Sequence, residues 1–160
     1  MTVRGNLDKM QSDDNVTTKE KAELLSSFIN MHYKCNMKMA CEEIGVPRFQ
    51  LNRWLQLDAI VIKGCIYLMR SSFPESDDEK NRRTNALDSQ LNKEPVFATA
   101  LEQHIELHYK NANQSMFARD HSVRQQQVFR WVNSGLCVFL LGQVYRLQFV
   151  PEKRLLNIQQ

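Results

Sequence analysis

The sequence predicts an α+β protein built from two tandem units, each of three helices followed by a β-hairpin. Three observations carry this reading. A stretch of text is repeated, the hydrophobic period inside each copy changes from helical to strand-like, and a polar segment separates the copies. The repeat pairs His32-Tyr33-Lys34 with His108-Tyr109-Lys110 at a spacing of 76. At a spacing of 77 it pairs Asn36 with Asn113, Cys41 with Ala118, Val46 with Val123, Leu51 with Val128 and Arg53-Trp54 with Arg130-Trp131. At 78, Gly64 and Tyr67 meet Gly142 and Tyr145. Agreement in this order, with two single-residue slips, marks two copies of one supersecondary unit.

The elements follow in chain order. Residues 1–16 are polar and read as a disordered tail. The first unit spans 17–70, where Leu24, Leu25, Phe28, Ile29 and Tyr33 recur at helical spacing and predict the first helix. Asn36 suits the N-cap of a short second helix, Gly45 breaks it, and a third helix ends near Trp54. The run AIVIKGCIYLMR then predicts a hairpin turning at Lys63-Gly64. Residues 71–94 read as a polar linker with a short helical turn around Ala86 to Leu91.

The second unit spans 95–151. Pro95 can open a helix that carries Leu101, Ile105 and Tyr109, and Asn113 suits the next N-cap. A third helix ends near Trp131, and LCVFLLGQVYRLQF predicts a second hairpin at Gly142-Gln143. Residues 152–160 form a tail. Apolar strands such as Val138 to Leu141 leave three pairings open: within the chain, between the two units, or across two chains in a homodimer.

The 160 residues, 42% hydrophobic and 24% charged, have the composition of a globular protein. No apolar run reaches the length of a membrane span and the N-terminus lacks a signal-peptide core, so no membrane partner and a cytoplasmic location are expected. Net charge is +3 and the isoelectric point about 8.7, which permits a nucleic-acid partner without requiring one. Cys35, Cys41, Cys65 and Cys137 have no C-x-x-C spacing and read as reduced thiols. His32 and His108 each stand without a carboxylate or cysteine at ligand spacing, so no metal and no cofactor are expected. Nothing matches a phosphate-binding loop, a dinucleotide fingerprint or a nucleophile elbow, and no enzymatic activity is expected.

The second helix, turn and third helix of each copy have helix-turn-helix spacing, with a small residue four before the turn position. In the first copy these are Cys41 and Gly45, with Ile44, Val46, Leu51 and Trp54 at core positions. In the second, Ala118, Val123, Val128 and Trp131 fit, while His121 and Ser122 replace the apolar residue and the glycine. On these residues the chain resembles the Cro-type phage repressors over roughly residues 20–70 and 95–149. The resemblance implies two Cro-like domains in one polypeptide, a transcription regulator of double-stranded DNA, and location in the host cytoplasm if the protein is phage-encoded.

On that template the outward positions of the third helices are Pro47, Arg48, Phe49, Asn52 and Arg53, and Arg124, Gln125, Gln126, Phe129 and Arg130. Gln50 and Gln127 lie partly inward, and Trp54 and Trp131 fall on the core stripe. Arg bridges guanine O6 and N7, Gln and Asn pair with adenine N6 and N7, and Phe presses on a thymine methyl. The start of the second helix, at Gln114 and Ser115 or at Met37 and Lys38, offers free N–H groups to a phosphate. A single-chain pseudo-dimer with two recognition helices in successive major grooves is the expected function. The same residues suit two other uses: the scaffold as a protein inhibitor of a host enzyme, which Glu42, Glu43 and exposed Phe49 and Phe129 favour, and a DNA-coating protein of low specificity.

Overall fold

The computed structural model describes residues 19–88, 91 and 94–152. The first half runs β1 (Lys19–Leu24), α1 (Leu25–Tyr33), α2 (Met37–Ile44), α3 (Arg48–Gln56), β2 (Ile60–Ile62) and β3 (Cys65–Met69). After α4 (Asp77–Leu87), the same order returns as β4 (Val96–Ala100), α5 (Leu101–His108), a 3-10 turn (Lys110–Ala112), α6 (Gln114–Asp120), α7 (Gln125–Ser134), β5 (Cys137–Leu140) and β6 (Gln143–Phe149).

The strands close into one antiparallel barrel in the order β1-β2-β3-β6-β5-β4, and β4 pairs back to β1. This overturns the expected fold class of two tandem Cro-like domains, each ending in its own hairpin. The fold is a single six-stranded barrel carrying seven helices among the described residues. The physical reason is the edge problem: a two-stranded ribbon leaves two rows of unpaired backbone groups and is marginal alone, whereas closure pairs both. The outer edge of β3 is taken by β6, from Ile66↔Phe149 to Met69↔Tyr145. Of the pairings left open by the sequence, two are formed: β5, which holds Val138, pairs within its own half with β4 and β6, while β1 with β4 and β3 with β6 join the two halves.

Two segments read as helical are strands. Pro95 does not open a helix but precedes β4, and α5 begins only at Leu101. A proline that donates no hydrogen bond suits the start of a strand as well as a helix. Leu24, assigned to the first helix, instead ends β1 opposite Ile60. The terminal tails, apart from Glu152, lie outside the described residues.

Strand alternation sorts the apolar side chains into three clusters. One face of β2 and β3 sends Val61 and Ile66 beneath α1–α3, with Phe28, Leu51 and Trp54. The corresponding face of β5 and β6 sends Cys137 and Val144 beneath α5–α7, with Ile105, Phe117 and Val128. The opposite faces fill the barrel with Ile60, Ile62, Leu140 and Tyr145, joined by Ala22 and Ala98. The halves also trade residues. Phe149 of β6 packs on Trp54 with ring centres 5.4 Å apart, and Phe73 packs on Trp131 at 6.1 Å.

The strand registers carry an internal two-fold. Where β1 meets β4, Lys21 lies opposite Phe97, its own counterpart in the repeat at the spacing of 76. Where β3 meets β6, Leu68 lies opposite Arg146, its counterpart at the spacing of 78. The other ladders agree: Glu23↔Val61 in β1-β2 corresponds to Thr99↔Phe139 in β4-β5. A self-complementary pairing of this kind is the signature of an isologous interface, here folded into one chain. The operation that exchanges β1-β2-β3 with β4-β5-β6 also exchanges the helix triplets they carry.

The segment between the copies interrupts this symmetry. Ahead of and overlapping the short helical turn expected around Ala86 to Leu91, part of which lies outside the described residues, α4 runs for 11 residues. It starts at a capping box in which Glu79 N–H donates to Ser76 Oγ at 3.1 Å and Ser76 N–H to the Glu79 carboxylate at 2.7 Å. Only Arg83 and Leu87 of the helix are buried, so its sequence shows no hydrophobic period. Leu87 enters the barrel cluster, and the Asp88 carboxylate accepts from Ser27 Oγ at 2.9 Å. Ahead of α4, the buried Gln143 amide accepts from Phe73 N–H at 3.2 Å and donates to Phe73 O at 3.0 Å.

Candidate nucleic-acid interface

Each half presents two short helices joined by a tight turn, and the same local chemistry builds both. Asn36 Oδ1 accepts from Met39 N–H, and Asn113 Oδ1 from Met116 N–H, each at 3.1 Å, so α2 and α6 start at equivalent caps. The turn residues are left-handed in both copies: Gly45 at φ +89 and Ser122 at φ +58. The next residue closes the turn identically, with Val46 N–H donating to Cys41 O at 3.2 Å and Val123 N–H to Ala118 O at 2.9 Å. Gly45 holds this conformation without strain, whereas Ser122 carries a Cβ penalty of about 1 kcal/mol.

Leu51 and Trp54 of α3, and Val128 and Trp131 of α7, are buried; Val46, Val123, Gln50 and Gln127 are half-buried. The opposite faces are open. Pro47, Arg48, Asn52 and Arg53 are exposed around Phe49, which is 73% exposed. On α7, Arg124, Gln125, Gln126 and Arg130 are exposed around Phe129, which is 54% exposed. Arg124, Gln125, Gln126 and Phe129 line one shallow hollow. Among the described residues, Arg48, Arg53, Arg124 and Arg130 have no ion-pair partner, so their charges are directed to solvent.

Gln114, the remaining candidate, is half-buried at the start of α6, a helix of seven residues. Its neighbour Ser115 Oγ donates to Gln125 Oε1 at 3.4 Å and so ties the first residue of α7 to the first turn of α6. On α2, Glu42 is exposed and Glu43 half-buried.

The second copy departs from the first beneath its turn, and the structure gives the reason. His121 stacks on Phe73 with ring centres 4.3 Å apart and planes 19° apart, and tilts against Phe117 at 4.4 Å. His104 stacks on Phe139 at 4.0 Å. Burial drives the His104 pKa down to about 4, with His108 and His121 adding to the effect, and burial also lowers that of His121. Both imidazoles therefore serve as neutral, flat packing plates, where the first copy has Phe28 and Ile44 at the corresponding positions. Sequence reasoning missed this cluster because Phe73 lies in the segment read as a linker. His32 rests on Phe28 at 4.5 Å and His108 beside His104 at 4.6 Å. Among the described residues no group of His, Cys, Asp and Glu is arranged to hold a metal ion.

No helix among the described residues is long and apolar enough to cross a membrane. Comparison with protein families, characterised proteins and solved structures returns no match.

Proposed function

We propose that the chain binds double-stranded DNA as a single-chain pseudo-dimer and regulates transcription by occupying duplex sites. The observation that carries this reading is the self-complementary register of the barrel, which relates by a two-fold two exposed helix faces rich in Arg, Gln and Asn. Duplex DNA offers equivalent major-groove faces about 34 Å apart, and two-fold related helices are the usual way to read both. The side chains are of the kind that reads base edges, and the exposed Arg48, Arg53, Arg124 and Arg130 supply attraction to phosphates.

Selection from a pool of randomised duplexes of about 30 base pairs, at two salt concentrations, tests the proposal. The expected result is an enriched site, with binding weakened in Arg53→Ala and in Arg130→Ala. If about four phosphates are neutralised, affinity falls roughly 10²-fold between 50 and 200 mM salt. Salt-sensitive binding without enrichment identifies a DNA-coating protein instead. The 73% exposure of Phe49 favours a second reading, a protein partner for the α3 face. Absence of binding at low salt overturns the DNA proposal in favour of that one.

A further inference from the structure

The two faces occupy equivalent positions but carry different chemistry. At the repeat spacing of 77, Pro47 compares with Arg124, Arg48 with Gln125, Phe49 with Gln126, Asn52 with Phe129 and Arg53 with Arg130, and all ten are exposed. Only the last pair is the same. Beneath them the scaffold is matched, with the same caps, the same left-handed turn position and buried Leu51 and Trp54 corresponding to buried Val128 and Trp131. Within α3 and α7 themselves, the difference between the copies is therefore concentrated on the side that faces solvent.

Resting on the DNA-binding reading above, we infer that the protein recognises an operator with two unlike half-sites and binds it in one orientation. The first copy takes a guanine-containing half-site and the second an A·T-rich one. The Arg48 fork is complementary to guanine O6 and N7, and Asn52, one turn on, to an adenine edge. In the second copy the equivalent positions are Gln125, Gln126 and Phe129. Two amides suit successive adenines, and the Phe129 ring suits a thymine methyl. Residues at the start of a reading helix approach the base edges most closely, and that is where Arg48 and Gln125 stand, at the first position of α3 and α7. The shared Arg53 and Arg130, further along each helix, serve the backbone in both halves and carry no orientation.

Turning the protein around on such a site would place Arg48 on an adenine and Gln125 on a guanine. Each mismatched bidentate contact weakens binding by roughly 5- to 150-fold. A homodimeric reader with identical helices has no such preference. The covalent duplication is what allows the two faces to diverge while the barrel register keeps their placement equivalent.

The test begins with the bound fraction from the randomised pool and continues with three fixed duplexes built from its two enriched halves: the natural pair, and a palindrome of each half. The expected result is at least a roughly tenfold preference for the natural pair over either palindrome. In the variant Arg48→Gln/Phe49→Gln/Asn52→Phe, whose changes are all at exposed positions, the preference moves to the A·T-rich palindrome. Arg48→Gln alone alters the enriched bases in one half only, and Gln126→Ala those in the other half only. A palindromic enriched site, or equal affinity for all three duplexes, overturns the inference and leaves the DNA-binding reading intact. Failure to bind any duplex overturns both. Circular dichroism of each variant confirms that the fold is unchanged, so a loss of preference reports on the face and not on the barrel.

Discussion

Removing the Glu75 carboxylate perturbs the most deeply buried charge among the described residues. The Arg83 side chain is 5% exposed, and its guanidinium donates to both Glu75 oxygens, at 2.6 and 3.3 Å, and to the Tyr145 hydroxyl at 2.9 Å. Glu75→Ala leaves that cation inside the barrel end with one neutral partner. Breaking a buried pair costs about 3–5 kcal/mol, and the 19% exposure of the Glu75 side chain puts this case at the lower end, about 3 kcal/mol. Arg83→Met is milder, because Glu75 reaches water and the main loss is an unpaired Tyr145 hydroxyl, about 1–2 kcal/mol. The double variant Glu75→Ala/Arg83→Met removes the stranded charge and is therefore more stable than Glu75→Ala alone, by about 1 kcal/mol. Urea unfolding followed by circular dichroism, with unchanged slope, measures all three. A Glu75→Ala cost below about 1 kcal/mol, or a double variant weaker than that single variant, would show that Arg83 is not stranded by loss of Glu75.

Three further outcomes are expected. Ser122→Gly relieves the left-handed strain in the second turn and stabilises the protein by about 0.5–1 kcal/mol, read as a higher urea midpoint; a lower midpoint would show that the hydroxyl has a structural task. Acid weakens the fold from below about pH 6.5: His104 titrates at about 4 when folded and near 6.5 when unfolded, so the unfolded chain binds the extra proton first. This contribution is complete above the unfolded value and is lost as the pH falls towards the folded one, by about 2 kcal/mol after allowance for partial exposure; His104→Phe flattens that fall. Glu75, whose pKa the Arg83 hydrogen bond lowers, adds a loss of the same sign below the normal carboxylate range, since its stabilisation needs the ionised form. Leu87→Ala empties a fully buried position at the barrel end and costs about 2–5 kcal/mol, measured by the same unfolding curves; a cost below about 1 kcal/mol would show that α4 is not part of the barrel core.

The sequence made the local units legible and left their assembly hidden. Asn36, Asn113, Gly45 and the apolar residues around Trp54 and Trp131 act within a few residues of one another, so their spacing alone specifies cap, turn and helix. The outward candidates on α3 and α7 followed from the same spacing. Barrel closure depends on Lys21 meeting Phe97 and Leu68 meeting Arg146, contacts between residues too far apart for any local period to register. The strands β1 and β4 were missed for a related reason: each runs without a loop into α1 or α5, so Leu24 and Leu25, and Ala100 and Leu101, merge two periods. The Ser76-x-x-Glu79 box was present in the text of α4, but a helix that buries only two side chains gives no apolar stripe to read. The slips in the repeat spacing, 76 at the first strands and 78 at the last, recur as the central pairs of the two symmetric ladders.

On the proposed function, α3 and α7 engage one duplex together. Backbone amide spectra of the isotope-labelled protein, titrated with the enriched duplex, test it most directly. The expected result is that amides of Arg48–Arg53 and of Arg124–Arg130 shift together and saturate at one chain per duplex, while those of α4 do not move. Shifts confined to one helix, or saturation at two chains per duplex, would contradict the single-chain pseudo-dimer.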